Sequence, residues 1–169
     1  MADGAAGVAG PAARELAVEI LRLLTAAGQT VAAAESLTGG LVAAALTDVP
    51  GSSSAFRGGV VAYASELKAQ LLGVDGRLLA AHGPVHAPVA AAMAEGVRKR
   101  LGATIGVATT GVAGPDPADG LPPGTVHVAV SLADDTVVRT MALAGNRDEV
   151  RRLAVEQVLG LLLGRLREA

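Results

Sequence analysis

The apolar run from Thr30 to Ala34 stops at Glu35-Ser36-Leu37-Thr38-Gly39-Gly40, and a helical pattern resumes over Leu41 to Thr47. A buried strand that enters a helix through a few small or polar residues is a βα unit, which places the segment in a layered sheet-and-helix domain. Such a turn exposes backbone N–H groups and the positive end of a helix dipole. That setting suits an anion or a developing oxyanion. Ser36 would stand at the mouth of the pocket as a nucleophile, with N–H groups from Thr38 to Gly40 around it. Capping of the helix by Ser36 or Thr38 explains the segment equally well when it is taken alone.

The rest of the chain repeats the alternation. Ala12 to Ala27 has helical spacing and stops at Gly28, and Gly58 to Ala64 reads as a strand running into a short helix over Ser65 to Leu72. A second short helix spans Asp75 to His82, with Asp75 as its N-cap, and a long one runs from Pro88 to Leu101. Ala103 to Thr109 is another apolar strand, followed by a Gly/Pro-rich loop that reaches Gly124. Thr125 to Ala133 and Thr136 to Leu143 predict a hairpin, and Asn146 caps a last helix that runs to about Arg167. The expected architecture is an α/β three-layer α/β/α sandwich with a mixed, mostly parallel sheet. In such sheets sites gather at the carboxyl ends of strands.

Composition matters here because the core has few large side chains to use. The 169 residues include one Phe, one Tyr and no Trp, so packing must come from Ala, Val and Leu at close helix–sheet contacts. Residues 1–11 read as a disordered leader and 12–169 as a single domain. The leader lacks the basic start and long apolar core of a signal peptide, and the apolar runs fall short of a membrane span, so a cytoplasmic protein is expected. The absence of cysteine removes thiolate chemistry, and a formal net charge of −2 gives no broad attraction to nucleic acid or an anionic membrane. A homodimer or higher homo-oligomer is expected on general grounds.

The candidate chemistry rests on few residues. P-loop, Rossmann and G-x-S-x-G signatures are absent. His82, His86 and His127 lack ligand spacing, so neither a metal site nor a Ser-His-Asp triad is expected. Arg outnumbers Lys twelve to two, yet Lys68 follows an apolar strand at a turn. A lysine can give up its proton when buried, whereas an arginine cannot, so Lys68 is the candidate base for Ser36. A solvated surface lysine is the plainer alternative. Tyr63 is placed to orient the amine, to bind substrate, or only to pack. Ser65-Glu66-Leu67-Lys68 matches S-x-x-K, but the companion S-D-N and K-T-G elements are missing, which leaves Ser36 preferred. Thr110, Gly111, Gly114 and Asp116 read as a substrate loop or a plain connection. Arg147 reads as a phosphate ligand or a surface partner of Asp148 or Glu149.

Five motifs then fall in order. They are Ala34-Glu35-Ser36-Leu37-Thr38-Gly39-Gly40; Gly51-Ser52-Ser53 with Phe56-x-x-Gly59-x-Val61-x-Tyr63-x-x-x-x-Lys68; Thr110-Gly111-Val112-Ala113-Gly114-Pro115; Pro123-Gly124-Thr125-Val126; and Gly145-Asn146-Arg147-x-x-Val150-Arg151. From about Arg14 to Leu166 this set resembles the CinA C-terminal domain family. The resemblance implies a nicotinamide-nucleotide amidohydrolase (PncC-type), which converts nicotinamide mononucleotide and water to nicotinate mononucleotide and ammonia without a cofactor or metal. It implies Ser36 as nucleophile and Lys68 as base with Tyr63 assisting. Together with the residue reading, it gives Glu35, Thr38, Gly39, Gly40, Thr110, Gly111, Gly114, Asp116 and Arg147 as substrate contacts. The chain departs from the family pattern at Ser65, where Asn is usual, and at Thr110 and His86, where Ser is common. A non-catalytic nucleotide-binding or regulatory module with the same fold is the alternative.

Overall fold

The computed structural model describes residues 8–168. Most of the expected leader lies outside the described residues. Of its remainder, Ala9 is buried and Pro11 opens the first helix. In chain order the elements are α1 (Pro11–Ala27), β1 (Val31–Glu35), α2 (Leu41–Thr47), a 3₁₀ turn (Ser52–Ser54), β2 (Phe56–Val61), α3 (Ser65–Leu72) and α4 (Gly76–His82). There follow α5 (Ala87–Arg100), β3 (Ile105–Gly111), β4 (Thr125–Ser131), β5 (Thr136–Ala142) and α6 (Arg147–Glu168).

The five strands form one sheet in the order β2-β1-β3-β4-β5. β1 pairs in parallel with both β2 and β3, and the expected hairpin adds β4 and β5 as antiparallel neighbours. Four strands therefore share one direction and β4 alone is reversed. β1, flanked by β2 and β3, is buried along its whole length, as an apolar run covered on both faces requires.

Alternating residues divide the core into two. Val31, Ala33, Ile105, Val107, Val126, Val128 and Val130 face α1, α2 and α6. Ala32, Ala34, Ala108 and Ala129 face α5, with residues from α3 and α4 packed alongside. The second face carries smaller side chains, and this lets α5 approach closely. A Cβ on Gly106 would run into the Ala94 carbonyl, and one on Gly96 into the Leu72 carbonyl at the end of α3. Gly96 thus seats α3, the helix that bears Lys68, against α5.

Three sequence-level caps are present. Gly28 ends α1 in the left-handed region at φ 65°, and Asp75 accepts from the Arg77 N–H at 2.8 Å. At α6, Asn146 Oδ1 accepts from the Glu149 N–H at 3.0 Å while a Glu149 carboxylate oxygen accepts from the Asn146 N–H at 2.7 Å. This reciprocal pair is a capping box. Among the described residues no helix is long and apolar enough to cross a membrane.

The connections create a crevice. α2 leaves β1 toward one face of the sheet, and α3 leaves neighbouring β2 toward the other. Adjacent strands whose following helices diverge open a cleft at their carboxyl ends. Ser36 and Lys68 lie on its two sides.

Candidate active site

Ser36 is held where β1 ends. Its N–H donates to the Thr109 carbonyl at 3.1 Å, one residue beyond the β1–β3 ladder, and on the other side the Ala62 N–H donates to the Glu35 carbonyl at 2.9 Å. The turn beyond Ser36 depends on glycine: Gly39 and Gly40 take φ of 59° and 103°, in the left-handed region. The Gly39 N–H donates to the Ser36 carbonyl at 3.0 Å, which closes the turn.

Lys68 is 1% exposed, one of the largest fully buried side chains in the domain. Its Nζ lies 3.2 Å from Ser36 Oγ and 3.0 Å from the Ala62 carbonyl. No carboxylate lies within ion-pair distance of it among the described residues. Burial pushes its pKa below the ordinary lysine value, and the charges of Asp119 and Glu66 oppose this less strongly. In the neutral amine one N–H serves the Ala62 carbonyl, which can only accept. The lone pair is then left for the Ser36 hydroxyl. Lys68 therefore has the environment of a removable proton, unlike a solvated surface lysine.

A cavity of about 300 Å³ opens over this pair. It is lined by Ser36, Leu37, Tyr63, Ser65, Lys68, Pro84, Val85, Gly111, Val112, Ala113, Gly114, Asp116, Ala118, Asp119 and Arg147. Seven of the residues selected from the sequence meet there: Ser36, Lys68, Tyr63, Gly111, Gly114, Asp116 and Arg147. Arg147 bridges the rim. Its Nη1 donates to the Gly114 carbonyl at 2.9 Å and its Nη2 to the Tyr63 hydroxyl at 3.0 Å. Tyr63 is 58% exposed and its hydroxyl accepts from Arg147, so it stands at the Arg147 rim of the cavity, and its hydroxyl is not hydrogen-bonded to the Lys68 amine. Arg147 does not pair with Asp148 or Glu149.

Five expected substrate contacts do not line the cavity: the side chains of Glu35, Thr38 and Thr110 and the amides of Gly39 and Gly40 serve the scaffold. Glu35 turns its buried carboxylate into the start of α2. Oε1 accepts from Thr38 Oγ1 at 2.7 Å, from the Gly40 N–H at 3.2 Å and from the Val42 N–H at 2.8 Å, and Oε2 accepts from the Ala43 N–H at 3.1 Å. It is the helix cap that the sequence suggested for Ser36 or Thr38. Thr38 is buried between Glu35 and the Thr109 hydroxyl at 2.8 Å. The amides of Gly39 and Gly40 go to Ser36 and Glu35. Thr110 donates its hydroxyl to the Pro84 carbonyl at 2.8 Å and so positions the Pro84–Val85 wall. The expected oxyanion donors shift as a result: among the described residues, the N–H groups of Leu37 and Thr38 are the ones in this turn without an acceptor.

Replacing Glu35 by Ala leaves these buried donors unmet and is expected to cost about 2–4 kcal/mol, with Glu35→Gln losing less because one acceptor oxygen remains. Denaturant unfolding of the two variants checks this.

Asp119, Pro84 and Val85 in the wall carry no motif in the sequence, and Arg151, behind the turn, stands in the last motif without an assigned role. Asp119-Gly120 is a turn dipeptide, and Asp119 takes φ 53°, but nothing in its spacing places it beside Lys68. The histidines stay outside the cavity. His127 Nδ1 lies 2.8 Å from Thr140 Oγ1, and the His82 and His86 rings stack at 4.3 Å. No cluster of three metal-ligating side chains occurs among the described residues.

Fold and site together define a class: an α/β domain with a serine and a buried, unpaired lysine facing each other across the carboxyl ends of parallel strands. Residues 13–166 match the CinA C-terminal domain family, and the chain belongs to it. A CinA-like protein of Frankia casuarinae is 55% identical over 157 residues, 93% of this chain and 36% of that protein. A CinA-like protein of Mycolicibacterium gilvum is 52% identical over 140 residues, 80% of this chain and 33% of that one. The chain thus spans about a third of the length of these relatives. Solved structures match over nearly their whole length. A CinA superfamily protein from Klebsiella pneumoniae superposes with TM-score 0.90 at 32% identity, covering 93% of this chain and 99% of that one. The competence/damage inducible protein CihA from Agrobacterium tumefaciens gives 0.88 at 36%, covering 93% and 96%.

Proposed function

We propose that the chain is a serine amidohydrolase that converts nicotinamide mononucleotide and water to nicotinate mononucleotide and ammonia, as a step of pyridine-nucleotide salvage. The observation that carries the reading is the buried Lys68 amine 3.2 Å from Ser36 Oγ, with burial lowering its pKa. A neutral amine in that position is a general base for the hydroxyl.

In the proposed reaction Lys68 takes the Ser36 proton as Oγ attacks the carboxamide carbon. The resulting oxyanion is held by backbone N–H groups of the Leu37–Thr38 turn. Lys68 passes its proton to the amide nitrogen, the C–N bond breaks and ammonia leaves. Water, deprotonated by Lys68, then attacks the Ser36 ester; the ester C–O bond breaks as Lys68 returns that proton to Oγ, which releases the acid product and restores the serine and the neutral amine. Arg147 at the rim offers a cation for the 5′-phosphate, although its present hydrogen bonds to Gly114 and Tyr63 would have to be shared or exchanged. The carboxylates of Asp116 and Asp119 suit the ribose hydroxyls and the cationic pyridinium ring. The direct test incubates the purified protein with nicotinamide mononucleotide and follows ammonia; substrate left intact by folded protein contradicts the proposal.

The base assignment also sets a pH dependence. Activity needs neutral Lys68, so it should rise with pH through the lysine's pKa. The Asp119 charge favours the ammonium. Asp119→Asn should therefore move the acidic limb of kcat/KM to lower pH. A limb that stays in place or moves upward contradicts the coupling.

A further inference from the structure

We infer that Arg151 is a positioning residue that aims the oxyanion-binding amide of the Ser36 turn; this rests on the amidohydrolase reading above. Arg151 reaches the turn from α6, distant in sequence. Its Nε donates to the Leu37 carbonyl at 2.9 Å and its Nη2 to the Thr38 carbonyl at 3.3 Å. One planar guanidinium thus grips two successive carbonyls. Its ionic neighbour, Asp148, is distant at 4.0 Å and exposed, so the carbonyls are the closer partners.

A trans peptide is planar, and its C=O and N–H point in opposite directions. Holding the Leu37 carbonyl therefore fixes the Thr38 N–H to the side away from Arg151. Holding the Thr38 carbonyl fixes the Gly39 N–H, which is already spent on Ser36. Arg151 does not line the cavity, whereas Ser36 and Leu37 do. The guanidinium grips the turn from behind, and the Thr38 amide is left unpaired on the other side. The base of Arg151 is firm as well, because its neighbours Val150 and Ala154 on α6 are fully buried. A donor already oriented before charge develops needs no reorganisation in the transition state. Lysine, with a point charge in place of a fork, cannot hold both carbonyls in one plane.

The test compares Arg151→Ala and Arg151→Lys with the parent in two assays: steady-state hydrolysis of nicotinamide mononucleotide, and the rate at which a fluorophosphonate labels Ser36. For Arg151→Ala, kcat is expected to fall by about 10²-fold, the loss typical of one oxyanion donor. KM should stay within about threefold, since an interaction confined to the transition state leaves ground-state binding alone. Labelling should slow in parallel, Arg151→Lys should recover little, and added methylguanidine should restore part of the Arg151→Ala rate. Should Arg151→Ala fail to fold, the Lys variant decides by the same split. The inference is overturned if the folded variants keep the parental kcat, if the loss lies in KM, or if Lys restores full rate. A parent that is labelled at Ser36 yet releases no ammonia refutes the amidohydrolase reading and leaves the labelling comparison to judge Arg151. A parent that is not labelled overturns the role of Arg151 as well.

Discussion

Ser36→Ala is expected to reduce ammonia release by at least about 10³-fold, because loss of the nucleophile removes the acyl-enzyme route and leaves only positioning and oxyanion stabilisation. Binding of nicotinamide mononucleotide should change little, since Oγ is one small group in a cavity walled by Tyr63, Val85, Gly111 to Gly114 and Arg147. The fold should also survive. The Ser36 backbone is pinned by its N–H to Thr109 and its carbonyl to Gly39, and neither bond involves the hydroxyl. Titration calorimetry of the variant with nicotinamide mononucleotide, beside the ammonia assay, separates these effects. Parental turnover by Ser36→Ala would remove Ser36 from the mechanism. Ser65→Ala is the companion control, because Ser65 lines the same cavity while the lysine's hydrogen bond goes to Ser36.

Lys68→Met has the second large effect, and it acts in two directions. Activity should fall by about 10²–10⁴-fold, the usual contribution of a general base. Stability should rise, because methionine fills a similar volume without burying a charge that no carboxylate within ion-pair distance balances. The pH dependence follows from linkage. Burial holds the folded-state pKa of Lys68 below the ordinary 10.5, so the unfolded chain binds more protons between the two values. Parent stability therefore gains from this group as pH rises through that window, and its penalty is fully present below the folded value. The advantage of Lys68→Met should be greatest at low pH and shrink as pH approaches 10.5. Denaturant unfolding across pH measures the gap; a gap that widens with pH contradicts the burial argument. Lys68→Arg should be inactive as well, since arginine keeps its proton.

Local patterns in the sequence carried much of this structure. The strand through Ala34, the Asp75 cap, the Gly28 stop, the Asn146 cap and the β4–β5 hairpin all express periodicity and turn chemistry within a few residues. The rarity of lysine singled out Lys68. Which amides stay unspent around Ser36 was not legible, because that depends on where Glu35 points. A carboxylate at the end of a strand can face a ligand or fold back onto the next helix, and the choice is made by burial between α2 and β3. The Thr110 hydroxyl is of the same kind: it donates to the carbonyl of Pro84, 26 residues away, a contact that lies beyond any local pattern. Arg151 reaches back 114 residues to the Leu37 carbonyl, a contact that no local pattern announces. Helix-to-turn contacts of this range are set by tertiary packing, which here is that of α6 over the face that also holds α2.

The Ser36–Lys68 pair is proposed to cleave a carboxamide of a pyridine nucleotide. Proton NMR of nicotinamide mononucleotide incubated with the parent protein tests it most directly, because it distinguishes the amide from the glycosidic bond. Nicotinate mononucleotide is expected as the nucleotide product, matched by an equal amount of ammonia and with the ribosyl bond intact. Free nicotinamide with ribose 5-phosphate, or unchanged nucleotide in the presence of folded protein, would contradict it.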